Sequence, residues 1–270
     1  MALIGVRAAL CARLSRELSS IGGRPCVFSV RDISEGRVEA DTEATGWIWP
    51  RGCQKPLRLA DFAGSMSEPE DEGADMNDEM FFEMRELSSV VSCLRLLCPN
   101  PLNGPRVGSH FAFPYSLPEQ WAKAKLAGIE VPRWGLAAEG NSWINIIDVF
   151  DPSLRGSNDA TFDKSIDNLT GITVRRPVGP AMKCSFVGDV YSVCRMDGGA
   201  RVSGLSDCGQ EEVGLLVKKV RRAFDLDYGK IFYSFCGCPA FWSVVPFLDE
   251  DIEDGLLHEL ARMLMSCRYF

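Results

Sequence analysis

Lys183 to Val187 and Val190 to Met196 read as two short strands closed by a Gly188-Asp189 turn. This hairpin, KCSFV-GD-VYSVCRM, constrains the fold more than any other stretch, because a two-residue turn containing glycine fixes both the pairing and the register of its strands. Glu211 to Phe224 follows as an amphipathic helix. Lys230 to Phe235 and Ala240 to Val245 then form a second hairpin across Cys236-Gly237-Cys238-Pro239. A last helix is expected from Asp254 to Cys267, with Leu257, Leu260 and Leu264 on one face. Ile172 to Arg176 is a further strand. The first hairpin opens on a lysine, and that cation asks for a role.

Upstream, Met1 to Leu18 is expected to be an amphipathic helix, with Val6, Leu10 and Leu14 at helical spacing. Arg7, Arg13 and Arg16 interrupt its apolar run, so neither a signal peptide nor a membrane span is expected. Gly22-Gly23 stops the helix, and Arg24 to Val30 is a strand. This is α/β grammar. Thr45 to Trp49 is a strand, and Leu57 to Phe62 a strand or short turn. Ser65 to Met76 is an acidic loop expected to be mobile. Asn77 to Leu97 is a helix with Phe81, Met84, Leu87, Val91 and Leu94 on its buried face. The run Cys98-Pro99-Asn100-Pro101 breaks regular structure and sets a boundary. Ser116 to Ala127 is a helix with a capping box, Ser116 and Glu119. Ile129 to Arg133 is a short strand, and Trp143 to Phe150 another.

A chain of 270 residues with 46% hydrophobic and 24% charged residues can bury a sizeable core. Its net charge of −8 argues against a broad grip on nucleic acid. The 11 cysteines are scattered, and only His110 and His258 accompany them. Buried thiols in a reducing cytoplasm are the plain reading. The sharper reading is a redox or metal cluster of Cys236 and Cys238 with Cys184 and Cys194.

In order, these pieces resemble an ATP-grasp protein of the glutamate-ligase-like, or RimK-like, group. Gly128-Ile129-Glu130-Val131-Pro132-Arg133 is similar to that group's "G-hydrophobic-x-V-P" entry to the central domain. The first hairpin is similar to its "R-V-x-V-V-G-D" strand pair, with Lys183 where the group has a phosphate-facing arginine. Phe224 to Ile231, FDLDYGKI, is similar to "L-x-L-D-Y-G-G-I", and Trp242 to Pro246, WSVVP, to "E-V-N-P". The resemblance implies an α/β (α+β) protein. Residues 1–100 would form an N-terminal α/β domain and residues 101–270 a reduced ATP-grasp-like domain, with both hairpins in one sheet. It implies that Lys183, Arg175 and Asp227 are the candidate nucleotide-binding residues and that ATP is the cofactor.

The departures fall on the chemistry. The group's metal-binding carboxylate after "G-I" is matched by Phe232, and the two metal ligands of "E-V-N-P" by Ser243 and Val245. Hard Mg²⁺ wants oxygen ligands, so Mg²⁺ is not expected, and no catalytic or metal-ligating residue is assigned. Two functions follow. One is a degenerate, non-catalytic ATP-grasp relative that binds a protein or peptide partner in the cytoplasm, with no nucleic-acid or membrane role. The other is an active ATP-dependent carboxylate–amine ligase whose ligands are displaced, with Asp227 or Asp249 as replacement.

Overall fold

The computed structural model of the chain describes residues 2–4, 8–28, 102–103, 115–136, 143–145, 172–175, 178–196, 207–249 and 252–266. The strands expected at 45–49 and 57–62, the acidic loop 65–76 and the helix 77–97 lie outside the described residues. The chain divides into two compact units, one of Met1–Pro114 with Asp249–Phe270, the other Tyr115–Leu248. The protein is of mixed α/β class, with helices beside parallel and antiparallel strand pairs.

The first unit opens with a strand, β1 (Ala2–Ile4), not with the expected helix. Helix α1 (Ala8–Ser20) follows, and β2 (Cys26–Phe28) pairs parallel to β1. Three residues are too few for alternation to show in the sequence, and the parallel partner that makes them a strand lies beyond a helix. Leu10, Leu14 and Leu18 repeat every four residues along α1 and are buried. The helix ends where expected. Gly22 takes a φ of 83°, and the Gly23 amide reaches back to the Leu18 carbonyl at 2.7 Å. Helix α4 (Asp254–Ser266) packs on α1. Arg13 donates to the Ile252 carbonyl at 2.7 Å and to Asp254 at 2.9 Å, and His258 Nδ1 meets Glu17 at 2.6 Å.

The second unit begins with α2 (Leu117–Leu126), whose Ser116 amide donates to the Glu119 carboxylate at 2.7 Å, as the capping box requires. The strand expected at 129–133 lies later, as β3 (Trp134–Leu136). It shares a three-stranded antiparallel sheet with β5 (Ile172–Arg175), in the middle, and β4 (Trp143–Asn145). The larger sheet holds both hairpins. Its strands are β6 (Ala181–Val187), β7 (Val190–Arg195), β8 (Tyr228–Cys236) and β9 (Cys238–Val245), in the order β7-β6-β8-β9. Helix α3 (Asp207–Phe224) joins the hairpins and begins four residues before the expected start.

One face of the four-stranded sheet is the core. Cys184, Phe186, Ile231, Tyr233, Phe241 and Val244 are fully buried there. Helix α3 lies on this face. Phe224 stacks on Phe241 with ring centroids 5.9 Å apart, and the Tyr191 hydroxyl donates to the Gln210 carbonyl at 2.7 Å. Helix α2 closes the β9 edge. Gln120 Oε1 accepts the Val244 amide at 2.8 Å, and Trp121 Nε1 donates to the Trp242 carbonyl at 2.6 Å. The Glu130 carbonyl accepts the Phe241 amide at 3.0 Å. An outer strand that would otherwise offer open backbone groups is thereby satisfied from its own unit.

Candidate functional site

In antiparallel pairs, directly opposed residues project to the same face of the sheet. Lys183 opposes Cys194 on one side and Phe232 on the other, and Phe232 opposes Ser243. These four make one row. The next row on the same face is Ser192, Ser185, Lys230 and Val245. Phe232, Ser243 and Val245 therefore share one face, opposite the α3 side, and occupy three corners of a four-residue block. Lys230 is the fourth corner.

The block is buried. Lys230 is 5% exposed, Phe232 7% and Ser243 fully enclosed, while Ser185 beside Lys230 is also buried. The Lys230 ammonium lies 4.3 Å from the centroid of the Phe247 ring, a cation–π contact. Lys183 is half-buried at the rim. A β-bulge lies just past the Phe232 row, between Phe232 and Tyr233, where Trp242 is the extra residue of β9 and its carbonyl accepts from Trp121 of α2.

The residues before the block are set by backbone geometry. Gly188 takes a φ of 55° in the hairpin turn, and its amide donates to the Asp227 carbonyl at 2.8 Å. Gly229 has no room for a side chain, because a Cβ there would collide with the Val245 carbonyl oxygen and press on the Phe186 ring. The first glycine of the "D-Y-G-G-I" resemblance thus has a packing reason.

The three candidate nucleotide-binding residues do not share one sheet face. Lys183 lies on the block's face. Arg175 is exposed at the end of β5, in the three-stranded sheet, where its amide donates to the Arg133 carbonyl at 2.7 Å. Arg176 lies outside the described residues. Asp227 stands at the other end of the hairpin from Lys183. From Asp227 to Phe232 the chain advances by roughly 16 Å of extended strand. Asp227 lines an open hollow of about 280 Å³ at the end of α3, with Lys218, Arg221, Arg222, Asp225 and Leu226. Lys230 was not among the candidates. Its signal in the sequence is that it stands at the second glycine of "D-Y-G-G-I".

The cysteines are not brought together either. Cys184 is on the core face and Cys194 on the other, while Cys236 and Cys238 are exposed at the tip of the β8–β9 hairpin. Burial, and after it the nearby Cys194, pushes the Cys184 thiol well above its usual range. No group of three or more metal-ligating side chains occurs among the described residues. No helix among them is long and apolar enough to cross a membrane.

A three-stranded sheet followed by a four-stranded sheet with its helices on one face is the arrangement of a known class: the chain has the ATP-grasp fold. The solved structures it is similar to include ligases and a macrocyclase. The ATP-grasp ligase PsnB, complexed with precursor peptide PsnA2 and AMPPNP, gives a TM-score of 0.64 at 14% identity, covering 98% of this chain and 97% of that one. The macrocyclase MdnC from Microcystis aeruginosa MRC, bound with precursor peptide MdnA, gives 0.63 at 11% identity, covering 98% and 99%. D-alanine–D-alanine ligase from Bacillus anthracis, complexed with ATP, gives 0.54 at 11% identity, covering 98% and 95%. At such identities the likeness is one of fold. No family model matches the chain, and no curated protein matches it.

Proposed function

We propose that this chain is a non-catalytic ATP-grasp-fold protein that binds a peptide. The observation that carries the reading is the block of Phe232, Ser243 and Val245 on one face of the sheet. These are the positions at which the resemblance expects metal-holding side chains. Phenylalanine and valine offer no ligand oxygen, and the Ser243 hydroxyl is neutral. Mg²⁺ needs oxygen ligands, normally one or two carboxylates shared with phosphate oxygens. The residues present do not fit that ion. Without it, charge developing on a transferred phosphoryl group lacks its main stabiliser.

The displaced-ligand alternative draws no support from Asp227, which precedes β8 and is separated from Phe232 by roughly 16 Å of extended strand. The fold itself matches that of the PsnB ligase at a TM-score of 0.64, and fold does not secure chemistry. That the partner is a peptide is supported by PsnB and MdnC, both solved with precursor peptides. ATP remains the nucleotide the fold favours, as a ligand and not as a substrate.

The test is selection of binders from a displayed peptide library. Each binder is then incubated with the chain, ATP and Mg²⁺ and weighed by mass spectrometry. The reading expects binders whose affinity does not need ATP and whose mass is unchanged. A peptide that loses water, the signature of a new amide or ester between its own groups, would overturn the non-catalytic reading. A selection that yields no binder would overturn the peptide partner.

A further inference from the structure

Free cysteine is among the residue types most often buried, and packing does not explain a cysteine left in water. Cys236 and Cys238 are both exposed, at the tip of the β8–β9 hairpin. They are also opposed in the strand register, with Gly237 alone between them. Opposed residues project to one face of a strand pair, with Cα atoms about 4.5–5.5 Å apart. That separation falls within the roughly 4.4–6.8 Å that a disulfide spans between Cα atoms. Gly237 takes a φ of 81°, the conformation that turns the chain back here and favours glycine.

Both cysteines are held from neighbouring segments. A Cβ on Gly179 would meet the Cys236 Cβ at 3.2 Å and the Phe235 carbonyl oxygen still closer, so the chain entering β6 lies directly against Cys236. The Phe235 amide donates to the Pro180 carbonyl at 3.2 Å. On the other strand, the Cys238 thiol donates to the Glu130 carboxylate at 3.6 Å, and the Glu130 carbonyl accepts the Phe241 amide. The tip thus presents two thiols side by side, fastened on both strands and open to solvent.

We propose that Cys236 and Cys238 form a dithiol–disulfide exchange site whose substrates are low-molecular-weight disulfides. This goes beyond the peptide-binding reading and does not depend on it. The Cys236 thiolate attacks one sulfur of a disulfide RSSR. The S–S bond breaks, a Cys236–S–SR bond forms, and RS⁻ leaves and takes up a proton. Cys238 then gives its proton to water and attacks the Cys236 sulfur. The Cys236–Cys238 disulfide forms, and the second RS⁻ leaves and is protonated. The two protein thiols lose two electrons and two protons, and one RSSR becomes two RSH. Cys236 is the first attacker because desolvation, and then the Glu130 carboxylate, raise the Cys238 thiol and hold it protonated. The second step is intramolecular between groups the register already aligns, so it outruns capture of the mixed disulfide from solution.

The experiment incubates the reduced full chain with oxidised glutathione at neutral pH, followed by acid quench, alkylation in denaturant, trypsin and mass spectrometry. One tryptic peptide, Ile231 to Arg262, carries both cysteines. In the unsubstituted chain this peptide is expected to lose two hydrogens, to carry no glutathione and to escape alkylation. Dithiothreitol is expected to restore both alkylatable thiols. Cys238→Ser is expected to retain one glutathione on Cys236, and Cys236→Ser to acquire its glutathione on Cys238 more slowly. A pair that stays a dithiol, glutathione that remains on either cysteine of the unsubstituted chain, or a bond from either to another cysteine or a second copy would overturn the proposal. Equal or reversed rates in the two single variants would overturn Cys236 as first attacker. A failure of the peptide-binding reading is distinguishable, since no peptide enters this experiment.

Discussion

Gly229 and Lys230 stand side by side at the start of β8, one small by necessity and one large where the resemblance is small. Gly229 is held by packing, because its Cα approaches the Val245 carbonyl. Gly229→Ala is expected to destabilise the chain by about 1–3 kcal/mol, the range for overpacking a well-filled site, read as a lower urea midpoint. The same residue scale decides the thiols. Slight desolvation at the hairpin tip, and then the Glu130 carboxylate that accepts its hydrogen bond at 3.6 Å, push the Cys238 thiol above its usual range. Removing that carboxylate lowers the thiol's pKa, so more thiolate is present below it. Glu130→Gln is therefore expected to speed alkylation of Cys238 near pH 8, with the two rates converging as pH rises past both thiol pKa values. Cys184, buried on the core face, is expected to stay unmodified until the chain unfolds, which peptide mapping after timed alkylation would check. Phe232, Ser243 and Val245 were legible only through the resemblance, and their sharing one face comes from the strand register. The failure of Asp227 to join Lys183 was not legible, since it depends on which end of β6 each one reaches.

At the scale of elements, local signals were legible and pairing was not. The Gly188 turn, the Ser116–Glu119 box and the glycine stop after α1 are short-range chemistry, and each forms where the sequence places it. Three-residue strands such as β1 and β3 have no periodicity to read, and both owe their state to distant partners. The role of α2 was equally hidden, because Gln120 looks like a solvent-facing residue of an amphipathic helix. It is buried, and it holds the Val244 amide on the outer edge of β9. Gln120→Leu leaves that buried donor without a partner, which costs about 1–3 kcal/mol. Equilibrium denaturation should show a loss in that range, against a change within about 0.5 kcal/mol for the exposed Lys125→Ala on the same helix.

At the scale of the whole molecule, the sequence order of the elements led to the fold, while their grouping needed coordinates. Helix α4 is the last element described, yet it packs on α1, near the beginning of the chain, through the face carrying Leu257, Leu260 and Leu264. Leu260→Ala in that seam is expected to cost about 2–5 kcal/mol by denaturant unfolding, as for other fully buried leucines. The proposed function is likewise a property of the whole: a chain that matches the PsnB ligase in fold over 98% of its length, with Phe232, Ser243 and Val245 buried on one sheet face. Its central claim is the absence of phosphoryl transfer. The most direct test is a phosphate-release assay with ATP, Mg²⁺ and a panel of amino acids and peptides. The account predicts release no faster than in the absence of the chain. Turnover that disappears in Asp227→Asn or Asp249→Asn would contradict it, placing a working carboxylate where this structure reads none.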